Sequence, residues 1–80
     1  MNKSAKEMFE ELGYEKERIY IDGWLNQIVY QIRMKNDRKF KKIIFQYDEK
    51  VVDFLEYTSI NMKELKAINK QVEELGWNNE

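Results

Sequence analysis

The sequence predicts an α+β domain in which two helices lie on one face of a central antiparallel meander, a two-layer sandwich of helix, sheet and helix. Three observations carry that expectation. The run Glu10-Glu11-Leu12-Gly13-Tyr14 returns as Glu73-Glu74-Leu75-Gly76-Trp77. Each copy has the form of a helix exit, with a glycine free to enter the left-handed region and an aromatic placed to pack on the last turn. Between the copies, apolar and polar residues alternate with the period of two that marks strands with one wet face. Outside them, apolar residues recur at helical spacing.

The first helix is predicted over about residues 5–12, opened by a capping box in Ser4-Ala5-Lys6-Glu7, where the serine oxygen accepts an early amide and the glutamate reaches back. Ala5, Met8, Phe9 and Leu12 then form one apolar stripe. Residues 14–26 read as strand or loop: Ile19-Tyr20-Ile21 has strand composition, and Asp22-Gly23 is a turn leading into Trp24 and Leu25. The meander is therefore three-stranded, or four-stranded if this segment joins it.

Strands are expected at about residues 27–35, 41–48 and 51–57. In the first, Ile28, Tyr30, Ile32 and Met34 alternate with Val29, Gln31, Arg33 and Lys35; in the second, Ile43, Phe45 and Tyr47 alternate with Ile44, Gln46 and Asp48. A two-residue turn at Glu49-Lys50 sets Tyr47 opposite Val52 and Phe45 opposite Phe54. A four-residue loop keeps these residues on the same face. The last helix, about residues 62–75, starts at a second capping box formed by Asn61 and Glu64, with Ile60 and Leu65 in the positions of a hydrophobic staple. Met62, Leu65, Ile68, Val72 and Leu75 make its predicted buried stripe, and Lys70 with Glu74 an i,i+4 pair.

Composition narrows the function classes. The chain has 80 residues, 42% of them apolar and 14% aromatic, which fits one domain with a small but real core. It contains no cysteine and no histidine. Disulfides, thiolate metal sites and thiol nucleophiles are excluded, and the commonest general base and transition-metal ligand are missing. Asp48, Glu49, Asp53 and Glu56 fall at a water-exposed turn or on opposite faces of a strand, so they do not converge. Gly13, Gly23 and Gly76 are isolated, so no phosphate loop is present. No catalytic, cofactor-binding or metal site is assigned, and an enzyme is not expected. No segment has the length or apolarity of a signal peptide or membrane span, so a soluble protein without a membrane partner is expected.

Two surfaces remain as candidates. Val29, Ile44, Val51 and Leu55 fall on the second face of the sheet among Gln31, Gln46 and Asp53. Either the segment from Ile19 to Leu25 folds over them, or they form a surface for a partner protein or a second copy in a homodimer. Trp24 belongs with this face, and the rim near Tyr57 and Trp77 is the alternative candidate protein contact. The other surface is basic: Arg33, Lys35, Arg38, Lys39, Lys41 and Lys42 surround Asp37, giving a ribbon of +5 in a chain of net −1 and leaving −6 elsewhere. With Phe40 available to stack on a base, this ribbon is a candidate nucleic-acid contact. A solvated hairpin that guards a sheet edge has the same composition. The helix, three strands, helix order is shared with double-stranded-RNA-binding domains, but their Gly-Pro-x-His loop and Lys-Lys-x-Ala-Lys motif are both missing. The likeness is of topology alone.

The opening Met1-Asn2-Lys3-Ser4-Ala5-Lys6-Glu7-Met8-Phe9-Glu10-Glu11-Leu12-Gly13-Tyr14 and the closing run from Met62 to Trp77 resemble the ends of small uncharacterised proteins of temperate phages and prophages of Gram-positive bacteria. The resemblance implies an accessory protein made in the host bacterial cytoplasm, and it supplies no catalytic or binding residues. The sequence is thus read as a non-enzymatic accessory protein acting by protein–protein interaction, with nucleic-acid binding through the 33–42 hairpin as the alternative.

Overall fold

The computed structural model describes residues 3–33, 40–56 and 59–79. In chain order these form α1 (Ala5–Glu11), β1 (Glu15–Ile21), β2 (Trp24–Arg33), β3 (Phe40–Gln46), β4 (Val51–Leu55), α2 (Met62–Leu75) and a short 3-10 turn (Trp77–Asn79). The strands make one antiparallel sheet in sequential order, a four-stranded meander.

The fourth strand is β1, drawn from the segment whose sequence left strand and loop both open. Its turn explains the pairing: Asp22 and Gly23 have φ of 52° and 83°. Two successive positive values are the signature of the type I′ turn that suits a two-residue hairpin. Ile21 therefore pairs with Trp24, and the ladder runs back to Glu15 opposite Gln31. The segment extends the sheet at its edge instead of folding across it. β2 consequently begins at Trp24, three residues before the predicted start. A bulge opposite Ile19/Tyr20 absorbs one extra residue, since Ile19 pairs with Gln27 and Tyr20 with Leu25.

The β3–β4 connection takes the longer of its two options. Gln46 pairs with Val51, Phe45 with Val52 and Ile43 with Phe54. The loop thus spans residues 47–50 and closes on Lys50 at φ 54°. Glu49-Lys50 cannot supply the two left-handed residues of a tight turn cheaply, and the longer loop needs only one. The register moves by two residues, so every side chain stays on its predicted face. β3 ends at Gln46 instead of residue 48, and the Tyr47 amide donates to the Asn26 carbonyl at 3.1 Å. β4 ends at Leu55, followed by Glu56 at φ 64°.

Both helices start at complete capping boxes, on Ser4/Glu7 and Asn61/Glu64. At the end of α1 the Gly13 amide donates to Glu10 and the Tyr14 amide to Phe9, each at 3.0 Å, the paired closure that glycine at φ 95° permits. α1 thus stops at Glu11, with Leu12 as its cap. The predicted stripe holds at Ile68, Val72 and Leu75, which pack on the core, but α2 turns so that Glu64, Ala67 and Gln71 are buried as well, while Met62 and Leu65 are 66% and 40% exposed. Two hydrogen bonds explain the turn. The Tyr14 hydroxyl donates to Glu64, and the Tyr30 hydroxyl donates to Gln71 at 2.5 Å. Phenols rising from the core need acceptors, and the acceptors rotate inward with them. Lys70 pairs with Glu73 instead of Glu74. Glu74 accepts the Ala5 amide at 2.8 Å, which ties α2 to the start of α1.

The core comprises Phe9, Tyr14, Ile28, Tyr30, Ile43, Phe45, Ala67 and Ile68. Tyr30 is its hub. Phe9 stacks on it at 3.9 Å between ring centroids, Phe45 meets it edge-on at 6.0 Å, and Lys16 Nζ lies 5.9 Å from the ring centre. Burial pushes the Tyr30 phenol well above its ordinary range and lowers Lys16.

Candidate interaction surface

Because side chains alternate along a strand, fixing the inner face with Ile28, Tyr30, Ile43 and Phe45 also fixes the outer one. The central row of the outer face runs Glu17, Val29, Ile44, Asp53 across the four strands. One row toward the β1–β2 turn lie Ile19, Gln27, Gln46 and Val51; one row the other way lie Glu15, Gln31, Lys42 and Leu55. Beyond these, Ile21 pairs with Trp24 at one end and Arg33 with Phe40 at the other.

This arrangement brings together most of the predicted protein contact. Val29 is 3% exposed at the centre, and exposure rises outward to 36% at Val51, 47% at Leu55 and 80% at Trp24. A tryptophan that open to water forfeits about as much transfer free energy as any side chain can, roughly 2–3 kcal/mol. Gln46 donates to Asp53 across the β3–β4 ladder, so one of the two acids of the central row is partnered within the face. Ile21, 55% exposed, belongs to the same surface and was missed by the sequence reading. Its signal was present in the Ile19-Tyr20-Ile21 run, but its face depends on the bulge, which alternation alone does not reveal.

Trp77, from the alternative rim surface, lies on the other side of the sheet. Its ring packs at 6.3 Å from Phe45 and 6.2 Å from Tyr47, on the core side. Trp77 follows a helix exit whose Gly76 is left-handed at φ 76°, and that exit directs the chain back over the core. Tyr57 lies outside the described residues.

The basic ribbon is divided by the same alternation. Arg33, Phe40 and Lys42 share the outer face, whereas Lys41, opposite Ile32, is on the inner side. Lys35, Arg38 and Lys39 lie outside the described residues. The helical layer has one further recess, a cleft of about 330 Å³ lined by Met8 and Leu12 with Lys3, Glu11, Lys63 and Lys66 at its rim. Lys3 and Glu11 close an ion pair of 2.5 Å there, with both side chains half exposed. Among the described residues, no group of three or more acidic side chains is arranged to hold a metal ion, and no helix is long and apolar enough to cross a membrane.

Comparison of the chain with protein-family models, with curated proteins and with solved structures finds no match.

Proposed function

We propose that this chain is a small non-enzymatic accessory protein of a temperate phage or prophage, working in the host bacterial cytoplasm by binding protein through the outer face of its sheet. The observation that carries the reading is the exposure of Trp24, Ile21, Val51 and Leu55 on one face around a buried Val29. Apolar patches of this kind on small folded domains mark contact sites. Both helices lie on the inner face, which leaves the outer one as a single open layer. Tyr30 supports that placement, because its ring takes Phe9 from α1 and its hydroxyl takes Gln71 from α2. The phage setting rests on the resemblance of the two chain ends.

A second reading has one specific observation behind it. Arg33 faces Phe40 across the ladder, Lys42 follows on the same face, and the ring is 41% exposed. A cation beside an open ring is the minimum for gripping a nucleotide backbone and base.

One experiment addresses both readings. Tagged protein and a variant carrying Trp24→Lys and Leu55→Glu are used for co-purification from phage-infected host cells. A protein partner held by the wild type and lost by the variant is the expected outcome. Salt-released nucleic acid in place of protein transfers the assignment to the basic face. Capture unaffected by the variant removes the outer face from consideration.

A further inference from the structure

We infer that the occupant of the outer face is a second copy of this chain, seated face to face about a two-fold axis that runs along the Glu17–Val29–Ile44–Asp53 row. The inference rests on the protein-contact reading above and names the partner.

The argument is the symmetry of the pattern on β2, β3 and β4; on β1 the same axis sets Ile19 against Glu15 at the rim. A two-fold axis lying in the contact plane, perpendicular to the strands, sets each strand over its own copy with the rows exchanged. Val29 then meets Val29 and Ile44 meets Ile44, an apolar centre. On β4, Val51 and Leu55 stand two residues either side of Asp53, so each covers the other's copy. On β2, the outermost outer-face positions are Trp24 and Arg33. Arg33 is four residues from Val29, and Trp24 is five, but the bulge removes one; Trp24 pairs with Ile21, four residues along β1 from Val29's partner Glu17. The axis therefore lays the exposed indole of each protomer against the exposed guanidinium of the other, the cation–π pairing that arginine and tryptophan favour. The like-charged pairs, Glu17 on Glu17 and Asp53 on Asp53, fall at the two rims. Both stand exposed on the edge strands β1 and β4, where water screens the repulsion, and Gln46 already satisfies Asp53.

The size of the face sets the strength. Strands of 7, 10, 7 and 5 residues, at about 3.3 Å per residue and about 4.8 Å between strands, give roughly 450 Å² per protomer, near 900 Å² in total and below the usual range of specific interfaces. The dimer is accordingly a weak, concentration-dependent one.

The test is a charge swap read by sedimentation equilibrium of the full chain from micromolar to millimolar concentration. Trp24→Lys sets two cations together across the axis and Arg33→Glu sets a carboxylate against an indole face; each is expected to weaken dimerisation by about tenfold or more. The variant carrying both changes sets the new ammonium of each protomer against the new carboxylate of the other and regains most of the wild-type affinity. Within one protomer the two positions are roughly 27 Å apart along β2, so rescue can arise only between copies. Both side chains are exposed, and unchanged thermal melting at low concentration confirms that each variant is folded. A wild-type chain that stays monomeric to millimolar concentration overturns the inference and leaves the broader protein-contact reading to the co-purification result. A dimer indifferent to the single changes, or not restored by the double change, overturns it as well.

Discussion

On the inner face of β2 and β3, Ile28, Tyr30, Ile43 and Phe45 are all at 3% exposure or less; on the outer face of the same strands only Val29 is that well covered, and exposure climbs to 80% at Trp24. The two faces are built from one alternating sequence, and β-branched and aromatic residues stand on both. What separates them is supply from outside the sheet. Phe9 from α1 and Ala67 and Ile68 from α2 complete the inner cluster, and Glu64 and Gln71 bring the acceptors its two phenols require. Alternation therefore fixes which side chains travel together, and the flanking helices decide which set becomes a core.

The sharpest break in this contrast comes from Tyr30. Tyr30→Ala removes the hub that Phe9 stacks on and leaves Gln71 unanswered, and a loss of about 3–5 kcal/mol is expected in chemical denaturation. In a domain of this size such a loss leaves little or no folded population. A loss below about 1 kcal/mol would mean that the inner face is not the core.

Tyr30→Phe separates the ring from its hydroxyl. Keeping the stack but orphaning the Gln71 oxygen costs about 1–3 kcal/mol at neutral pH. The two proteins then differ with alkalinity. Burial raises the Tyr30 phenol in the folded state from its ordinary 10.0, so the unfolded chain loses its proton first. The stability linked to this group is complete below pH 10 and declines as pH rises toward the folded value. Denaturation curves of wild type and Tyr30→Phe are expected to approach one another above that pH; parallel curves would show that the phenol is not desolvated.

The smallest effect belongs to the outer face. Leu55→Ser, on the edge strand and nearly half exposed, is expected to change monomer stability by less than about 0.5 kcal/mol. A cost of several times that would show that something covers the patch within the chain.

Much of this was legible in the sequence, for reasons that differ by element. The capping boxes at Ser4 and Asn61 were visible because they are local, four-residue chemistry. The faces of β2, β3 and β4 were visible because the period is two, and the four-residue loop moved the register by an even number. β1 was only half visible. Glu15-Lys16-Glu17-Arg18 carries no apolar alternation, because it is an edge strand whose charges discourage pairing with other chains, and pairing with β2 through the Asp22-Gly23 turn is what makes it a strand. The start of the α2 stripe, Met62 and Leu65, was misread for the opposite reason. Hydropathy counts Leu65 inward and Glu64 outward, and it has no knowledge of a phenol 50 residues away that needs a carboxylate. The candidate surface followed the same division: Val29, Ile44, Val51 and Leu55 were placed by alternation, whereas excluding Trp77 required its contacts with Phe45 and Tyr47.

The bond from the Ala5 amide to Glu74 spans 69 residues, whereas the meander is made entirely of hairpins between consecutive strands. Closing so long a loop costs about 1–2 kcal/mol more in chain entropy than closing a ten-residue one. The expected order of assembly is that hairpins nucleate first and the helical pair docks late, so substitutions at the Ala5–Glu74 tie are expected to speed unfolding more than they slow folding.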